Sequence, residues 1–284
     1  MAIANSLADR LKDPSLAIEA ANVGGEWVGS TVARFAVTNP STGETLATLP
    51  DLGATETRAA IATAAKVQKQ WAARTGKERA AVLRRLYDLM VANADDLAAI
   101  LTAEMGKPLA EAKGEILYGA SYVEWFAEEA KRIYGDVIPA PLTDRRIIVL
   151  KQPVGVVGAI TPWNFPNAMI ARKMAPALAA GCTMVAKPAA QTPLSMLALA
   201  HLAERAGVPK GAFSVITSTR SAEIGAELTG NELVRKLTFT GSTGVGRILM
   251  RQASEQIKRL SLELGGNAPF IVFDDADIDA AVEG

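Results

Sequence analysis

Four short stretches of this chain carry side chains able to do chemistry: TPWNFP (161–166), AGCTMVAKP (180–188), FTGSTGVG (239–246) and LELGG (262–266). The second holds the only cysteine, Cys182, which on residue type alone is either a thiol nucleophile or a small apolar residue in a strand. In the first, Asn164 stands between two aromatics and two prolines. Prolines fix the backbone, and a fixed amide can donate a hydrogen bond to a developing oxyanion; a rigid turn packed by Trp163 and Phe165 fits the same residues. In the fourth, Glu263 closes an apolar run beside two glycines, where a partly desolvated carboxylate can act as a general base and a solvated one is simply a strand end. The third runs from a strand through Gly241 and Ser242 into a helix containing Gly246. Amides at such a helix start, with the Ser242 hydroxyl, can cradle a pyrophosphate; the spacing is not G-x-G-x-x-G, so an ordinary strand-to-helix turn stays equally open.

The elements that must position these residues follow from periodicity. Residues 22–52 read as short strands and turns, with VGGEWV, TNPSTGET and PDLGA as turn signals. Helical spacing then governs Thr55–Ala73, Lys77–Val91, Asp95–Met105 and Leu109–Arg132, and the charges in KERAAVLRRLYD and EWFAEEAKR read as solvated faces. Residues 133–150, with two prolines and a β-branched run at 147–149, read as a loop and hairpin arm suited to an oligomer contact. From Val154 onward the rhythm is strand–helix–strand: GVVGAITP, CTMVAKP, AFSVITS, VRKLTFTG and KRLSLELGG alternate with helical segments. That alternation predicts an α/β fold with a doubly wound, mostly parallel sheet covered on both faces, whose ligands sit at the carboxyl ends of the strands.

Composition narrows the function classes. Thirty Lys plus Arg balance thirty Asp plus Glu, so no basic excess points to nucleic acid. One histidine, His201, and one cysteine leave no material for a histidine-centred triad, a disulfide framework or a Cys-based metal site. The amino-terminal MAIANSLADRLKDPSLAIEAA has no apolar signal core, and the longest apolar stretch, 174–186, is interrupted and too short to span a bilayer. A cytoplasmic protein without a membrane or nucleic-acid partner is expected.

Taken together and in this order, PWNFP, AGCTMVAKP, FTGSTGVG and LELGGNAPFIVFDDAD resemble the aldehyde dehydrogenase superfamily, from about Asn22 to the last residue. EMGKPLAEAKGEI, EWFAEEAKRIYG and PNAMIARKMAPALAAGC are similar, more narrowly, to its bacterial succinate-semialdehyde dehydrogenase branch. The resemblance implies a Rossmann-type sheet with a bridging hairpin arm. It divides the chain into a dinucleotide-binding domain (1–132 and 151–260), an oligomerisation hairpin (133–150) and the start of a catalytic domain (261–284). It also implies NAD(P)-dependent oxidation of an aldehyde to a carboxylic acid, with succinic semialdehyde the leading substrate and glutarate semialdehyde an alternative. A non-catalytic nucleotide-binding and oligomerisation module is the other reading.

The roles implied by the resemblance fall on matching residues. Asn164 resembles the oxyanion-hole amide and, with Trp163, lies along the cofactor. Lys187, Pro188 and Ala189 resemble the segment that holds the adenosine ribose, and Gly241 and Ser242, in the turn closed by Gly246, the pyrophosphate contact. Glu263 resembles the general base, Leu264 a backbone contact near the nicotinamide, and Arg172 an arginine that grips the distal carboxylate of a semialdehyde. Ala190 stands where many NAD-preferring relatives have a glutamate, so NADP is the expected cofactor, with NAD accepted. In this family the AGC cysteine begins a buried strand, and the reactive cysteine lies a few tens of residues beyond ELGG. Cys182 is therefore expected to be structural, and the chain to be an amino-terminal fragment of a longer enzyme, a homo-oligomer (dimer or tetramer) when complete.

Overall fold

The computed structural model describes residues 6–30 and 33–284. Residues 1–5, the tip of the segment read for targeting, and 31–32, inside the strand-and-turn stretch, lie outside the described residues.

Two short 3-10 turns lead into β1 (Ala21–Val23) and β2 (Glu26–Val28), which fold back on each other through Gly24 and Gly25, both at positive φ. A second hairpin joins β3 (Arg34–Thr38) to β4 (Thr45–Pro50). Four helices follow: α1 (Ala54–Ala73), α2 (Gly76–Ala92), α3 (Ala94–Met105) and α4 (Leu109–Glu129). Thr75 and Glu78 exchange bonds as a capping box at the start of α2, and Gly106 ends α3 at φ 85°. The helix expected to reach Arg132 tightens into a 3-10 turn over its last three residues. The proline-rich stretch then makes an antiparallel ribbon of β5 (Asp136–Ile138) and β6 (Ile147–Val149), every residue of which is exposed.

The alternating half follows as β7 (Val156–Ile160), α5 (Ala168–Ala179), β8 (Thr183–Lys187), α6 (Leu194–Ala206), β9 (Phe213–Val215), α7 (Ser221–Gly230), β10 (Val234–Gly241), α8 (Thr243–Ser254) and β11 (Arg259–Leu264), with a last short helix α9 (Ile278–Glu283). The strands pair in the order β11-β10-β7-β8-β9-β1-β2, parallel from β11 to β9 and antiparallel at β1 and β2. The chain moves outward from β7 to β9, then returns to place β10 on the other side of β7. That reversal is a topological switch point, and its crevice opens between the carboxyl ends of β7 and β10. Because β11 pairs with β10 along its length, the domain boundary expected at 260/261 falls inside a strand of this sheet.

Period-2 alternation sorts the strand side chains between two cores. Val157, Ala159, Met184 and Ala186 pack against α2–α6, while Val156, Val185, Leu237 and Phe239 pack with α1, α7 and α8. On β10 and β11 the first of these faces is polar: Lys236, Thr238, Ser261 and Glu263 line a cavity beside α5 instead of meeting an apolar helix face. Among the described residues no apolar helix face covers the sheet at this edge.

The outer helices hold the crossover helices by their first amides. Glu104, near the end of α3, accepts from Leu194 N at 2.7 Å and Ser195 N at 2.8 Å, capping α6. Glu115, on α4, accepts from Asn167 N at 3.0 Å and Ala168 N at 3.1 Å, capping α5. Such amides have no partner inside their own helix, and carboxylates satisfy both their hydrogen bonds and the positive end of the helix dipole. The sequence-based reading of KERAAVLRRLYD as a solvated face is corrected at Arg79. This side chain is buried, and its guanidinium donates to the carbonyls of Ala72, Arg74 and Ala179, the unpaired carbonyl ends of α1 and α5.

Glu104 is 2% exposed, and burial pushes its carboxyl up to about 7, against the pull of Ser195 and the two amides and with the Glu115 carboxylate adding to the rise. Between an ordinary carboxyl value near 4.5 and about 7, the folded chain holds a proton that the unfolded chain releases. This group's contribution to stability is thus complete at low pH and lost as pH rises through 7, on the order of 3 kcal/mol over the interval. Urea unfolding of the parent and Glu104→Gln at pH 5 and pH 8 checks this: the gap between them should shift in favour of the glutamine form as pH rises. Parallel pH profiles would show that Glu104 is already ionised in the fold.

Candidate active site

The loop after β7 and the turn after β10 form the walls of the switch-point crevice. Trp163, Asn164, Arg172, Gly241, Ser242, Glu263 and Leu264 all line one cavity of ≈550 Å³ there. A second cavity of ≈430 Å³ shares Arg172 and Glu263 and continues along the polar side of β10 and β11, past Lys173, Lys236 and Cys182. Lys187, Pro188, Ala189 and Ala190 lie outside both, at the end of the neighbouring strand. Ile160 and Lys187 are paired in register, so the 161–167 and 188–193 loops leave the sheet level with each other, joined by Thr161 N to the Lys187 carbonyl at 3.2 Å.

Each candidate side chain has a local cause for its place. Trp163 and Asn164 stand exposed on a loop bracketed by Pro162 and Pro166, and the Asn164 side-chain amide has no partner among the described residues. Glu263 and Leu264 are consecutive on β11 and so point to opposite faces. Glu263 faces α5, where it acts electrostatically on Lys173; Leu264 faces α8, where a Cβ on Gly246 would lie 2.7 Å from Leu264 Cδ2. Gly246 is therefore a spacer that lets Leu264 approach the helix. Arg172 has its guanidinium 5.4 Å from the Tyr122 ring centre, a cation–π platform, and no carboxylate partner among the described residues. Tyr122 is itself held by a 2.5 Å hydroxyl–hydroxyl bond to Tyr118.

Burial lowers two lysines to about 8. Lys187 donates to the Pro188 carbonyl at 2.9 Å, with burial pulling it down against the Asp51 carboxylate. Lys173 donates to Thr238 Oγ1 at 3.1 Å; burial comes first among the causes of its shift, then the Arg172 charge, with Glu263 opposing. Sequence reasoning passed over Lys173, Lys107, Glu104 and Glu115. The one signal available was the dense EMGKP segment after an apolar helix; nothing in the helical periodicity marks a charge as buried.

Cys182 is 3% exposed and directly precedes β8, at the amino-terminal edge of the sheet. Asn164 lies beyond the opposite edge, so the two are separated by at least the length of β8, roughly 15 Å at the rise of a parallel strand.

Which helix start can receive an anion is decided by what the others already hold. α5 and α6 are occupied by Glu115 and Glu104, and α7 carries Glu223 in its first turn. α8 has no acidic residue in its first turn; only Ser242 approaches it, through a 3.4 Å bond to Val245 N, and no neighbour lies within 4 Å of a Cβ built on Gly244. The free amides, the exposed Ser242 hydroxyl and the glycine that lets a ligand approach fit the pyrophosphate of a dinucleotide. No cluster of three or more His, Cys, Asp or Glu able to hold a metal occurs among the described residues.

An open doubly wound sheet with a free helix start at its switch point defines a dinucleotide-binding type of α/β domain. The chain belongs to the aldehyde dehydrogenase family, whose pattern matches residues 27–284. It is 63% identical to the glutarate-semialdehyde dehydrogenase of Pseudomonas aeruginosa over 97% of this chain and 57% of that protein. It is 60% identical to the NADP(+) succinate-semialdehyde dehydrogenase of Escherichia coli, again over 97% of this chain and 57% of that protein. The crystal structure of succinate-semialdehyde dehydrogenase from Burkholderia pseudomallei superposes with a TM-score of 0.92 at 61% identity, over 96% of this chain and 57% of that one. The chain thus spans a little over half the length of the relatives it matches.

The α8 start separates a phosphate cradle from an ordinary turn. Ser242→Asp keeps a good N-cap and brings a negative charge that suits the helix dipole by about 0.3–1 kcal/mol, while placing a carboxylate where the phosphate would sit. The melting temperature should hold or rise and NADPH binding, followed by fluorescence, should weaken more than about tenfold. Unchanged binding would make the segment an ordinary turn.

Proposed function

We propose that this chain is the dinucleotide-binding part of an NADP-preferring dehydrogenase that oxidises a short aldehyde bearing an acidic group at its far end, succinic or glutaric semialdehyde being the type. The single observation that carries the substrate class is Arg172: a cation without a carboxylate partner among the described residues, seated on Tyr122, in the same cavity as Asn164 and Glu263. A guanidinium matches a carboxylate in two parallel hydrogen bonds. The relatives named above, by their names, act on glutarate and succinate semialdehydes, both of which carry such a group.

The cofactor reading rests on the α8 start for the pyrophosphate and on Lys187 to Ala190 for the adenosine end. A glutamate at position 190 would repel a 2′-phosphate; Ala190 does not, and Lys187 adds positive charge nearby. A nicotinamide bound in the crevice supplies the hydride acceptor. The protein's own part is to hold charge and protons. The Asn164 side-chain amide donates a hydrogen bond to the oxygen that becomes negative when a thiolate adds to the aldehyde carbon. Glu263 takes a proton from the water that releases the acid, with Lys173 beside it. The thiolate, in this reading, comes from the protein beyond this chain, since Cys182 lies at the wrong edge of the sheet.

The β5–β6 ribbon supports a homo-oligomeric enzyme. Two isolated strands are marginal in water, and Val137, Ile148 and Leu150 present apolar surface there that a second copy would cover. A cytoplasmic setting suits a single free cysteine; no helix among the described residues is long and apolar enough to cross a membrane.

In the complete enzyme, Arg172→Ala should lower kcat/KM for succinic semialdehyde by about ten- to a hundredfold, the loss of a charge-assisted pair. Butyraldehyde, which lacks the acid group, should be nearly unaffected. Equal losses for both aldehydes would remove Arg172 from substrate recognition.

A further inference from the structure

We propose that Lys107 is a positioning residue for the Asn164 amide, fixing the oxyanion loop from behind; this rests on the reading of Asn164 as the oxyanion donor. Lys107 follows Gly106, whose φ of 85° turns the chain off the end of α3 and towards the loop after β7. Its side chain is 9% exposed, and its ammonium group meets three partners at once. It donates to Glu115 Oε2 at 2.6 Å and to the Asn164 carbonyl oxygen at 3.2 Å, and it lies 3.6 Å from the centre of the Phe165 ring. An ammonium has three N–H donors and can satisfy this set without giving any of them up.

The partners make the arrangement a brace rather than a single contact. Glu115 is 1% exposed and gives its second oxygen to the amides of Asn167 and Ala168. Segment 164–168 is therefore held at its first carbonyl, at its aromatic ring and at its last two amides by one buried ion pair. Among the described residues the Asn164 side chain has no partner of its own, and the hydroxyl of Thr161 and the side-chain amide of Asn167, on either side of it, have none either. What aims the Asn164 amide is thus its backbone, and among the described residues the only side chain bonded to that backbone is Lys107. Small misplacements of a catalytic donor are costly in rate, so the brace belongs to the chemistry as well as to the fold.

The test is a double-mutant cycle in the complete enzyme with succinic semialdehyde. Lys107→Met keeps the unbranched stem against Phe165 and removes the charge. Its kcat should fall by about ten- to a hundredfold, with the KM for aldehyde within about threefold of the parent. In an Asn164→Ala background the same substitution should cost less than about twofold, because the group it aims is gone. To separate positioning from the burden of an unpaired buried Glu115, Lys107→Met/Glu115→Gln should be as slow as Lys107→Met alone, since the Asn164 carbonyl is still unheld. Recovery of parental kcat in that pair, a loss confined to KM, or losses that multiply fully with Asn164→Ala would each overturn the proposal. Unchanged kcat in Asn164→Ala alone would overturn the reading of Asn164 itself, and is seen before Lys107 is altered.

Discussion

Buried carboxylates at helix starts are the constraint on which the rest of this structure depends. A doubly wound sheet points several helix starts at its carboxyl edge, and each is a potential anion site. Here Glu104 and Glu115, supplied by the outer layer of helices, occupy the starts of α6 and α5. They are intramolecular acceptors that no ligand in water can easily displace, because removing either would leave two buried amides unpaired. The free start is that of α8, at the switch point itself. Packing of the outer helices thus decides where a ligand's phosphates can go, at a distance from the ligand.

A second constraint is the one-residue step between Glu263 and Leu264. Consecutive strand residues face opposite ways, so this step puts a carboxylate on the α5 side and an apolar contact on the α8 side. The register that fixes it is set by Leu260 and Leu262, which pack with the α7–α8 core. A slip of one residue would exchange the two side chains and turn the carboxylate towards the apolar core, so the apolar residues of β11 fix which way Glu263 points.

Much of this was legible in the sequence. The order of strands and helices, the polar or glycine-rich ends of the strands and the grouping of Asn164, Ser242 and Glu263 at one edge all follow from periodicity and turn chemistry, because these are local signals. The buried charges were not legible. Arg79, Glu104, Glu115 and Lys173 sit on helices whose pattern makes them look like solvated residues, and Lys107 sits in the short loop between two of them. Their burial depends on partners scores of residues away, such as Ala179 for Arg79 and Leu194 for Glu104. A charge becomes interior only when distant backbone groups satisfy it, and one-dimensional periodicity carries no record of those groups. The polar inner face of β10 and β11 was missed for a related reason: an alternating strand reads the same whether its polar side meets water or a cavity.

The most direct measurement is residue-resolved: amide NMR shifts of perdeuterated, ¹⁵N-labelled chain 1–284 titrated with NADPH. If the carboxylate caps direct the ligand, the amides of Thr243, Gly244 and Val245 at the start of α8 move most. Those of Asn167, Ala168, Leu194 and Ser195, already bonded to Glu115 and Glu104, stay nearly still. Shifts concentrated at the starts of α5 or α6, with α8 unmoved, would contradict the account.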